Sequence, residues 1–294
     1  MKIDYYRRKD FTSLSVVADN ILNLLKNKYE INEQIVGSSI DVERNDVGLV
    51  YGMPRDVLYL RRNKKRYAGL VCETHLSDKE ISLIKDSDLD EIWLPSRFCE
   101  KFYNEAGFTN TRIVPHGIDP LPIGKCLEDN ILMVYASYSS KTWSTLRKNP
   151  FKSIEAAQRF DKKIILRTTP QKYYNKVGLN GVEFVEYQEN LDDLYDRCSC
   201  VLCPSDSEGF GIIGLEALAR GIPLISTKTG NDYLDDMCYI HIDLPVTTDK
   251  IYDALDELYG NWQMYSERAI AQREHIINKY SWDNIELGEL NGSR

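Results

Sequence analysis

The sequence predicts an α/β fold made of two domains. Short apolar runs of strand length recur along the chain with helical patterns between them. A parallel sheet covered by helices on both faces gives this alternation, because its strands are buried on both sides. The chain's 294 residues also exceed the commonest size of a single domain. With 43% hydrophobic and 28% charged residues, the composition is that of a globular protein rather than a disordered one.

The first half of the chain predicts one helix and four strands. Leu14–Lys26 is predicted to be a helix because its apolar residues recur at helical spacing. The predicted strands are Val47–Tyr51, Tyr67–Cys72, Glu91–Pro95 and Thr111–Pro115.

The second half repeats this organisation. Its predicted strands are Ile131–Ala136, Lys163–Thr168, Val182–Val185, Cys200–Pro204, Pro223–Ser226 and Tyr239–Ile242. Its predicted helices are Phe151–Phe160, Leu191–Arg197 and Ile213–Ala219, and the C-terminal segment Ile251–Tyr280 is helical in pattern.

Turn-forming residues mark the boundary between the halves. They are concentrated in Pro115–Pro122, where no periodic pattern continues. The sequence therefore predicts an N-terminal domain over residues 1–117 and a C-terminal domain over residues 118–278. Residues 279–294 are expected to return to the N-terminal domain.

The formal net charge of −8 repels polyanions, so nucleic acid is not an expected partner. A local basic run stands out against this charge and has two interpretations: a solvated surface, or a contact with an acceptor or a membrane surface. Its members are Arg61, Arg62, Lys64, Lys65 and Arg66.

Neither a metal site nor a membrane span is predicted. The seven cysteines include the cluster Cys198, Cys200 and Cys203, which lacks the paired spacing and the histidines of a zinc site. We interpret them as reduced thiols. No stretch reaches the roughly 20 apolar residues of a membrane span, and the first residues lack a signal-peptide core. A cytoplasmic protein is expected, with peripheral membrane contact left open.

The segment Pro204–Pro223 carries the strongest functional pattern. It runs from a strand end through a glycine loop into a helix, which is where ligands bind in α/β sheets. Gly209 and Gly211 permit backbone conformations and close approaches that a side chain would block. The N–H groups at the start of the following helix attract phosphate. A diphosphate ligand fits this pattern.

Two carboxylates flank the glycine loop. Glu208 lies in the loop, and Glu216 follows eight residues later on the same side of the helix. Carboxylates accept hydrogen bonds from the hydroxyl groups that a sugar and a ribose both offer. The pair therefore indicates recognition of hydroxyls rather than of phosphates.

The run from Glu208 to Pro223 resembles the Glu-x7-Glu signature of retaining family 4 glycosyltransferases. The resemblance implies the GT-B fold, in which two Rossmann-like domains have parallel sheets facing a central cleft. Matching segments occur in the family's order between Glu73 and Trp282. They are Trp93–Cys99, Val114–Asp119, Arg147–Pro150, Ile154–Ala157 and Tyr280–Trp282.

The resemblance implies a hexosyltransferase-type enzyme with a UDP- or GDP-linked sugar as donor and no further cofactor. Glu208 would contact the donor sugar and Glu216 the ribose. Lys148 matches a diphosphate-binding lysine, whose charge would stabilise the leaving group without a metal. The backbone N–H groups expected near the sugar or phosphates belong to Gly209, Phe210 and Gly211.

The chain departs from the family's pattern at two places. Ala136-Ser137-Tyr138 stands where a Gly-Arg pair is usual, so Arg147 or Lys141 would supply the second phosphate-binding cation. Asp10–Ser13 replaces the double-glycine loop common after the first strand. On the acceptor side, His75 is nominated as the residue facing the reacting sugar.

Three functions are compatible with this site. A transferase would pass the sugar to a glycan, lipid-linked or small-molecule acceptor held by residues 1–117, with retention of anomeric configuration. A GT-B epimerase would act on a sugar nucleotide without an acceptor. A non-catalytic sugar-nucleotide-binding protein would have less need of Glu208, Glu216 and Lys148 together.

Overall fold

The computed structural model describes residues 1–7, 12–35, 45–71, 76–134, 147–167, 180–185, 191–288 and 290. The chain divides into two compact units, Met1–Gly117 with Tyr280–Arg294, and Ile118–Lys279. Within the described residues, each unit contains one six-stranded sheet, and the strands pair in parallel throughout.

The sheet of the first unit has the strand order β2-β1-β3-β4-β5-β6. Its strands are β1 (Lys2–Arg7), β2 (Glu30–Ile35), β3 (Val47–Gly52), β4 (Lys65–Leu70), β5 (Glu91–Leu94) and β6 (Thr111–Ile113). Its helices are α1 (Thr12–Lys26), α2 (Asp78–Lys85) and α3 (Arg97–Glu105), with 3-10 helices at Pro54–Arg62 and Trp282–Asn284.

The sequence prediction did not include two of these strands, for different reasons. Strand β1 lies inside the sheet between β2 and β3, yet it carries Lys2, Asp4 and Arg7 among its six residues. Strand β2 is an edge strand whose residues keep part of their surface exposed, so it needs no continuous apolar run. Because both strands contain polar residues, the search for apolar runs did not detect them.

Helices α2 and α3 were also missing from the prediction, although serine caps mark both starts. Ser77 accepts a hydrogen bond from the backbone N–H of Glu80, whose carboxylate accepts one from Ser77 in return. Ser96 accepts from the N–H of Cys99 in the same way. Each serine supplies an acceptor to an N–H group that the helix leaves without an internal partner.

A buried carboxylate on β1 links strand β2 to the segments that precede β3 and β4. Asp4 of β1 is fully buried, and four N–H groups from three asparagines donate to it. Asn32 and Asn63 each donate through the side-chain amide, at 2.7 and 2.9 Å. Asn45 donates through both its side chain, at 2.6 Å, and its backbone N–H, at 2.8 Å. The hydrogen bonds that the carboxylate would accept from water are thereby replaced by hydrogen bonds within the protein.

The second unit has the strand order β12-β11-β10-β7-β8-β9. Its strands are β7 (Asn130–Val134), β8 (Ile164–Arg167), β9 (Val182–Val185), β10 (Cys198–Cys203), β11 (Leu224–Ser226) and β12 (Ile240–His241). Its helices are α4 (Pro150–Arg159), α5 (Asp192–Asp196), α6 (Ile212–Ala219), α7 (Thr248–Gly260) and α8 (Trp262–Tyr280).

This order places a topological switch point between β7 and β10. The chain moves outward from β7 through β8 to β9, then returns to the other side of β7 at β10 and moves outward again. Connections leave the sheet in opposite directions at such a point, which opens a crevice outside the carboxyl ends of the two strands. The segment after β10 is therefore positioned by the topology to bind a ligand.

The segment Ile251–Tyr280, whose pattern predicts helical structure, is helical and is divided into two helices. Helix α7 ends at Gly260, and Asn261 leaves the helical conformation at φ −128° and ψ 29° before α8 begins. The apolar pattern continues across the break because both helices pack on the same core. Periodicity alone does not reveal the break.

Several predicted features fall outside the described residues, namely the strand ends at Cys72, Ala136 and Thr168. The described cysteines are free thiols, with Cys99, Cys198 and Cys200 fully buried. Across the parts of the chain that the structure describes, no helix is long and apolar enough to cross a membrane.

Candidate functional site

The candidate site lies in the second unit, where β10 ends at the switch point. The segment Pro204–Gly211 connects β10 to α6, and the segment Arg147–Asn149 leads into α4. A backbone hydrogen bond of 2.7 Å from Asp206 N–H to the Arg147 carbonyl joins the two segments. Residues separated by about 60 positions in the sequence therefore share one site.

Glu208 is the centre of this site. Its carboxylate is buried, and Lys148 Nζ forms an ion pair with Oε1. The Ser205 hydroxyl also donates to Oε1, at 2.7 Å, while Arg147 Nη1 lies 3.3 Å from Oε2. Burial by itself would raise the pKa of Glu208, but the two cations and the hydrogen bonds hold it below its ordinary value. Glu208 is therefore ionised at neutral pH.

The backbone around Asn149 brings the two cations to Glu208. Asn149 adopts the left-handed conformation, with φ 52° and ψ 41°, directly before α4 begins at Pro150. Its side-chain amide donates to the Pro204 carbonyl at 2.9 Å, which fixes the turn to the end of β10. Asparagine tolerates this conformation better than most residues do. The turn consequently directs both Arg147 and Lys148 toward the loop that carries Glu208.

The glycine loop needs glycine at Gly211 for two reasons. Gly211 has φ 58° and precedes α6, and a Cβ there would lie 1.8 Å from Asn231 Oδ1. Tyr233 OH donates to the Gly211 carbonyl at 2.6 Å and holds the loop in place. Among the described residues, no side chain caps α6, so its N-terminus has the character of an anion site.

Replacing Gly211 with alanine is expected to destabilise the protein and weaken nucleotide binding. The left-handed backbone costs an L-residue about 1–2 kcal/mol, and the clash with Asn231 forces the loop to move. Thermal unfolding and calorimetric titration with UDP and GDP measure the two effects. Gly260→Ala is the matched control, since a Cβ there meets nothing within 4 Å. Wild-type stability in Gly211→Ala would contradict the requirement for glycine.

Hydrogen bonds from buried hydroxyl and amide groups stabilise the loop between β10 and α6. Thr227 and Thr229 both donate to the Ser205 carbonyl, at 2.6 and 3.1 Å. Asn231 donates through its side-chain amide to the Ser226 hydroxyl and to the Thr227 carbonyl, each at 3.1 Å. The sequence prediction missed these residues. Their position just after β11, the strand next to β10, is the signal that could have identified them.

Glu216 occupies a different environment from Glu208. Tyr195 OH donates to Glu216 Oε2 at 2.8 Å, and the Glu216 side chain keeps part of its surface exposed. Burial raises the pKa of Glu216 above its ordinary value, because the hydrogen bond from Tyr195 and the nearby Arg220 only partly oppose it. The two glutamates therefore differ in affinity for protons.

The structure brings together most of the predicted site residues. Glu208, Lys148 and Arg147 are in direct contact, and the glycine loop joins them to the helix that carries Glu216. Phe210 is buried and packs edge-on against Tyr233, with ring centroids 5.7 Å apart. The candidates that lie outside the described residues are His75 and Lys141, together with Ala136–Tyr138 and Asp10–Phe11.

Another histidine near the predicted domain boundary is structural in character. His116 is buried, and its Nε2 lies 2.6 Å from Tyr51 OH. Burial lowers the pKa of His116 to about 3, so the ring is neutral at physiological pH. Within the described ranges, no group of three or more His, Cys, Asp or Glu side chains is arranged to hold a metal ion.

The part of the chain that contains this candidate site is similar to known proteins. Residues 145–232 match the family described as glycosyl transferases group 1. An uncharacterized glycosyltransferase of Methanocaldococcus jannaschii is 29% identical over 107 residues, which cover 35% of this chain and 27% of that relative. The matched segment thus spans about a quarter of the relative's length.

Solved structures extend the similarity over nearly the whole chain. Anabaena HepE, solved in complex with UDP and glucose, is similar with a TM-score of 0.75 and 14% identity over 96% of both chains. The sucrose-phosphate synthase of Thermosynechococcus elongatus is similar with a TM-score of 0.75 and 12% identity, again over 96% of both chains. The prediction of a GT-B fold is confirmed, and retaining family 4 stays a prediction. The chain thus has the GT-B fold, and its residues 145–232 are similar to the glycosyl transferases group 1 family.

Proposed function

We propose that the protein is a glycosyltransferase that moves a hexosyl group from a nucleoside diphosphate sugar to an acceptor hydroxyl with retention of configuration. The observation that carries this proposal is the buried carboxylate of Glu208, paired with Lys148 and Arg147 beside the N-terminus of α6. A carboxylate suits sugar hydroxyls, and the cations and helix terminus suit a diphosphate. One site thus offers both kinds of contact that a sugar diphosphate requires.

Each residue has a role in this proposal. Glu208 accepts hydrogen bonds from the donor sugar, and Glu216 accepts them from the ribose. Lys148 and Arg147 stabilise the negative charge that grows on the departing diphosphate, which is a large contribution when the charges are held in advance. The backbone N–H groups of Gly209–Gly211 complete the phosphate contacts.

The reaction needs no enzymic nucleophile. The bond from the anomeric carbon to the diphosphate oxygen breaks, and its electron pair goes to the diphosphate. The acceptor oxygen bonds to the same face of the sugar, and its proton passes to the departing phosphate oxygen. The protein contributes orientation and charge stabilisation. Activity is therefore expected to persist in a metal chelator.

The donor and the acceptor are assigned to different units in this proposal. The donor is a UDP- or GDP-linked sugar bound to the second unit, and the complex of Anabaena HepE with UDP and glucose supports a uridine nucleotide. The acceptor is a glycan, a lipid-linked sugar or a small molecule bound to the first unit. An exposed basic surface there suits an anionic acceptor or the surface of an anionic membrane. It consists of Arg55, Arg61, Arg62 and Lys64.

Calorimetry against a panel of UDP- and GDP-sugars tests the donor assignment. One donor is expected to bind. Glu208→Gln is expected to lower the affinity for this donor by about 10–100-fold, since a hydrogen bond to a charged group contributes about 1.5–3 kcal/mol. The affinity of Glu208→Gln for UDP or GDP alone should fall by less than about threefold, because neither nucleotide carries the sugar. Glu274→Gln, at an exposed position on α8, is the matched control.

The products distinguish the three candidate functions. A transferase releases nucleotide in proportion to added acceptor, and the anomeric coupling constant of the product, measured by NMR, reports retention. An epimerase converts the sugar nucleotide without an acceptor, and a binding protein releases nothing. Failure of every sugar nucleotide to bind the wild-type protein would overturn the proposal.

A further inference from the structure

Tyr195 and Glu216 form a contact that the roles given above do not explain. Tyr195 lies on α5, its ring is fully buried, and its hydroxyl donates to Glu216 Oε2 at 2.8 Å. The other oxygen, Oε1, accepts no hydrogen bond from the residues that the structure describes. Since the side chain of Glu216 keeps part of its surface exposed, one oxygen is engaged within the protein and the other is available to a ligand.

Arg220 packs its guanidinium group over the ring of Tyr195. Its guanidinium carbon lies 4.5 Å from the centroid of the Tyr195 ring, and its Nη2 donates to Asp192 Oδ1 at 2.5 Å. Arg220 follows Glu216 by four residues at the end of α6, so the two side chains lie on the same face of the helix. A buried cation over an aromatic ring stabilises the position of both groups. Two contacts therefore fix Tyr195: its hydroxyl donates to Glu216, and its ring packs against Arg220.

We propose that Tyr195 is a positioning residue for Glu216, whose Oε2 it fixes so that Oε1 accepts a hydrogen bond from a ribose hydroxyl of the nucleotide. This inference rests on the proposed function, because it takes the ligand to be a nucleoside diphosphate. A carboxylate held in its binding geometry loses less conformational entropy when the ligand arrives. Tyr195 therefore acts through Glu216 and need not touch the nucleotide.

The hydroxyl of Tyr195 also affects the charge of Glu216. A hydrogen bond donated to a carboxylate favours its ionised form, so loss of the hydroxyl raises the pKa of Glu216 further above its ordinary value. Only the ionised form has both oxygens available as acceptors. The other groups that influence this carboxylate are Asp192 on α5, Arg220 at the end of α6, Arg167 on β8 and Cys203 on β10.

The variant Tyr195→Phe separates this role from a merely structural one. Carbon-13 NMR of protein labelled at the glutamate carboxyls follows the titration of Glu216, assigned by its absence in Glu216→Gln. Calorimetry with UDP and with GDP is run in parallel between pH 5 and pH 8. Tyr5→Phe is the matched control, because Tyr5 OH donates to the Ala18 carbonyl in the first unit.

In Tyr195→Phe, the pKa of Glu216 should be higher than in the wild-type protein. As the solution is acidified, nucleotide affinity should therefore begin to fall at a higher pH than it does in the wild-type protein. About one pH unit below the shifted pKa, where roughly a tenth of Glu216 is ionised, affinity should be about tenfold lower than at high pH, with recovery toward pH 8. An unchanged Glu216 titration, or an equal loss of affinity at every pH, would overturn the inference. If neither UDP nor GDP binds the wild-type protein, the ribose contact and the proposed function both fail, whereas the NMR titration still decides whether Tyr195 controls Glu216.

Discussion

Replacing Lys148 with alanine is expected to lower kcat for sugar transfer by roughly 10²–10³-fold, the usual cost of removing one preorganised charge-stabilising group. The ammonium group of Lys148 is held against Glu208 before the ligand arrives. In the proposed reaction, charge builds up on the diphosphate as its bond to the sugar breaks, so Lys148 is expected to stabilise the transition state more strongly than it stabilises the bound donor. The measurement is steady-state kinetics with the donor identified by calorimetry.

The effect of Lys148→Ala should fall mainly on kcat, with a smaller change in the Kd of the donor. Lys152→Ala is the matched control, because Lys152 lies on the neighbouring turn of α4 and donates to the Val246 carbonyl at 2.8 Å. It should retain wild-type kcat. A Lys148→Ala enzyme with unchanged kcat would show that another group stabilises the leaving diphosphate.

Asp4→Ala is expected to reduce the free energy of unfolding of the first unit by about 3–5 kcal/mol, the range observed when one partner of a buried charged contact is removed. The substitution leaves the amide donors of Asn32, Asn45 and Asn63 without their shared acceptor. Each buried donor without a partner costs roughly 1–3 kcal/mol, partly relieved by relaxation of the loops. Urea unfolding, followed by fluorescence and circular dichroism, measures the change.

A second aspartate of the same unit provides the control for Asp4→Ala. Asp19 pairs with Arg7 at 2.7 Å, but its side chain is about half exposed. An exposed ion pair contributes about 0–1 kcal/mol, so Asp19→Ala should unfold at nearly the wild-type urea concentration. Equal stabilities for the two variants would refute the structural role of the Asp4 cluster.

The sequence was most informative where local chemistry decides the structure. The segment Pro204–Pro223 combines a strand end, glycines and carboxylates, and the structure places that segment at the switch point. The four inner strands of the second unit, β7, β8, β10 and β11, were predictable for a similar reason, because nearly all of their residues are buried. Their predicted and observed positions differ mainly at the ends.

Other features depend on tertiary contacts that no local pattern records. Tyr195 contacts Glu216 across 21 positions, and Arg147 contacts Glu208 across 61. A buried aspartate such as Asp4 is unexpected in an inner strand, and only the fold brings together the three asparagines that donate to it. The break at Gly260 and Asn261 is hidden because the apolar face continues through it.

The ion pair between Lys148 and Glu208 has a consequence for the discrimination between anions. An inorganic phosphate or sulfate ion could bind Lys148 only by competing with a carboxylate, and it would leave that buried carboxylate without its strongest partner. A sugar diphosphate brings oxygens for the lysine and hydroxyl groups for the glutamate, so both side chains exchange one partner for another. Under the proposed function, simple anions are therefore expected to be poor competitors for the donor, even at high concentration.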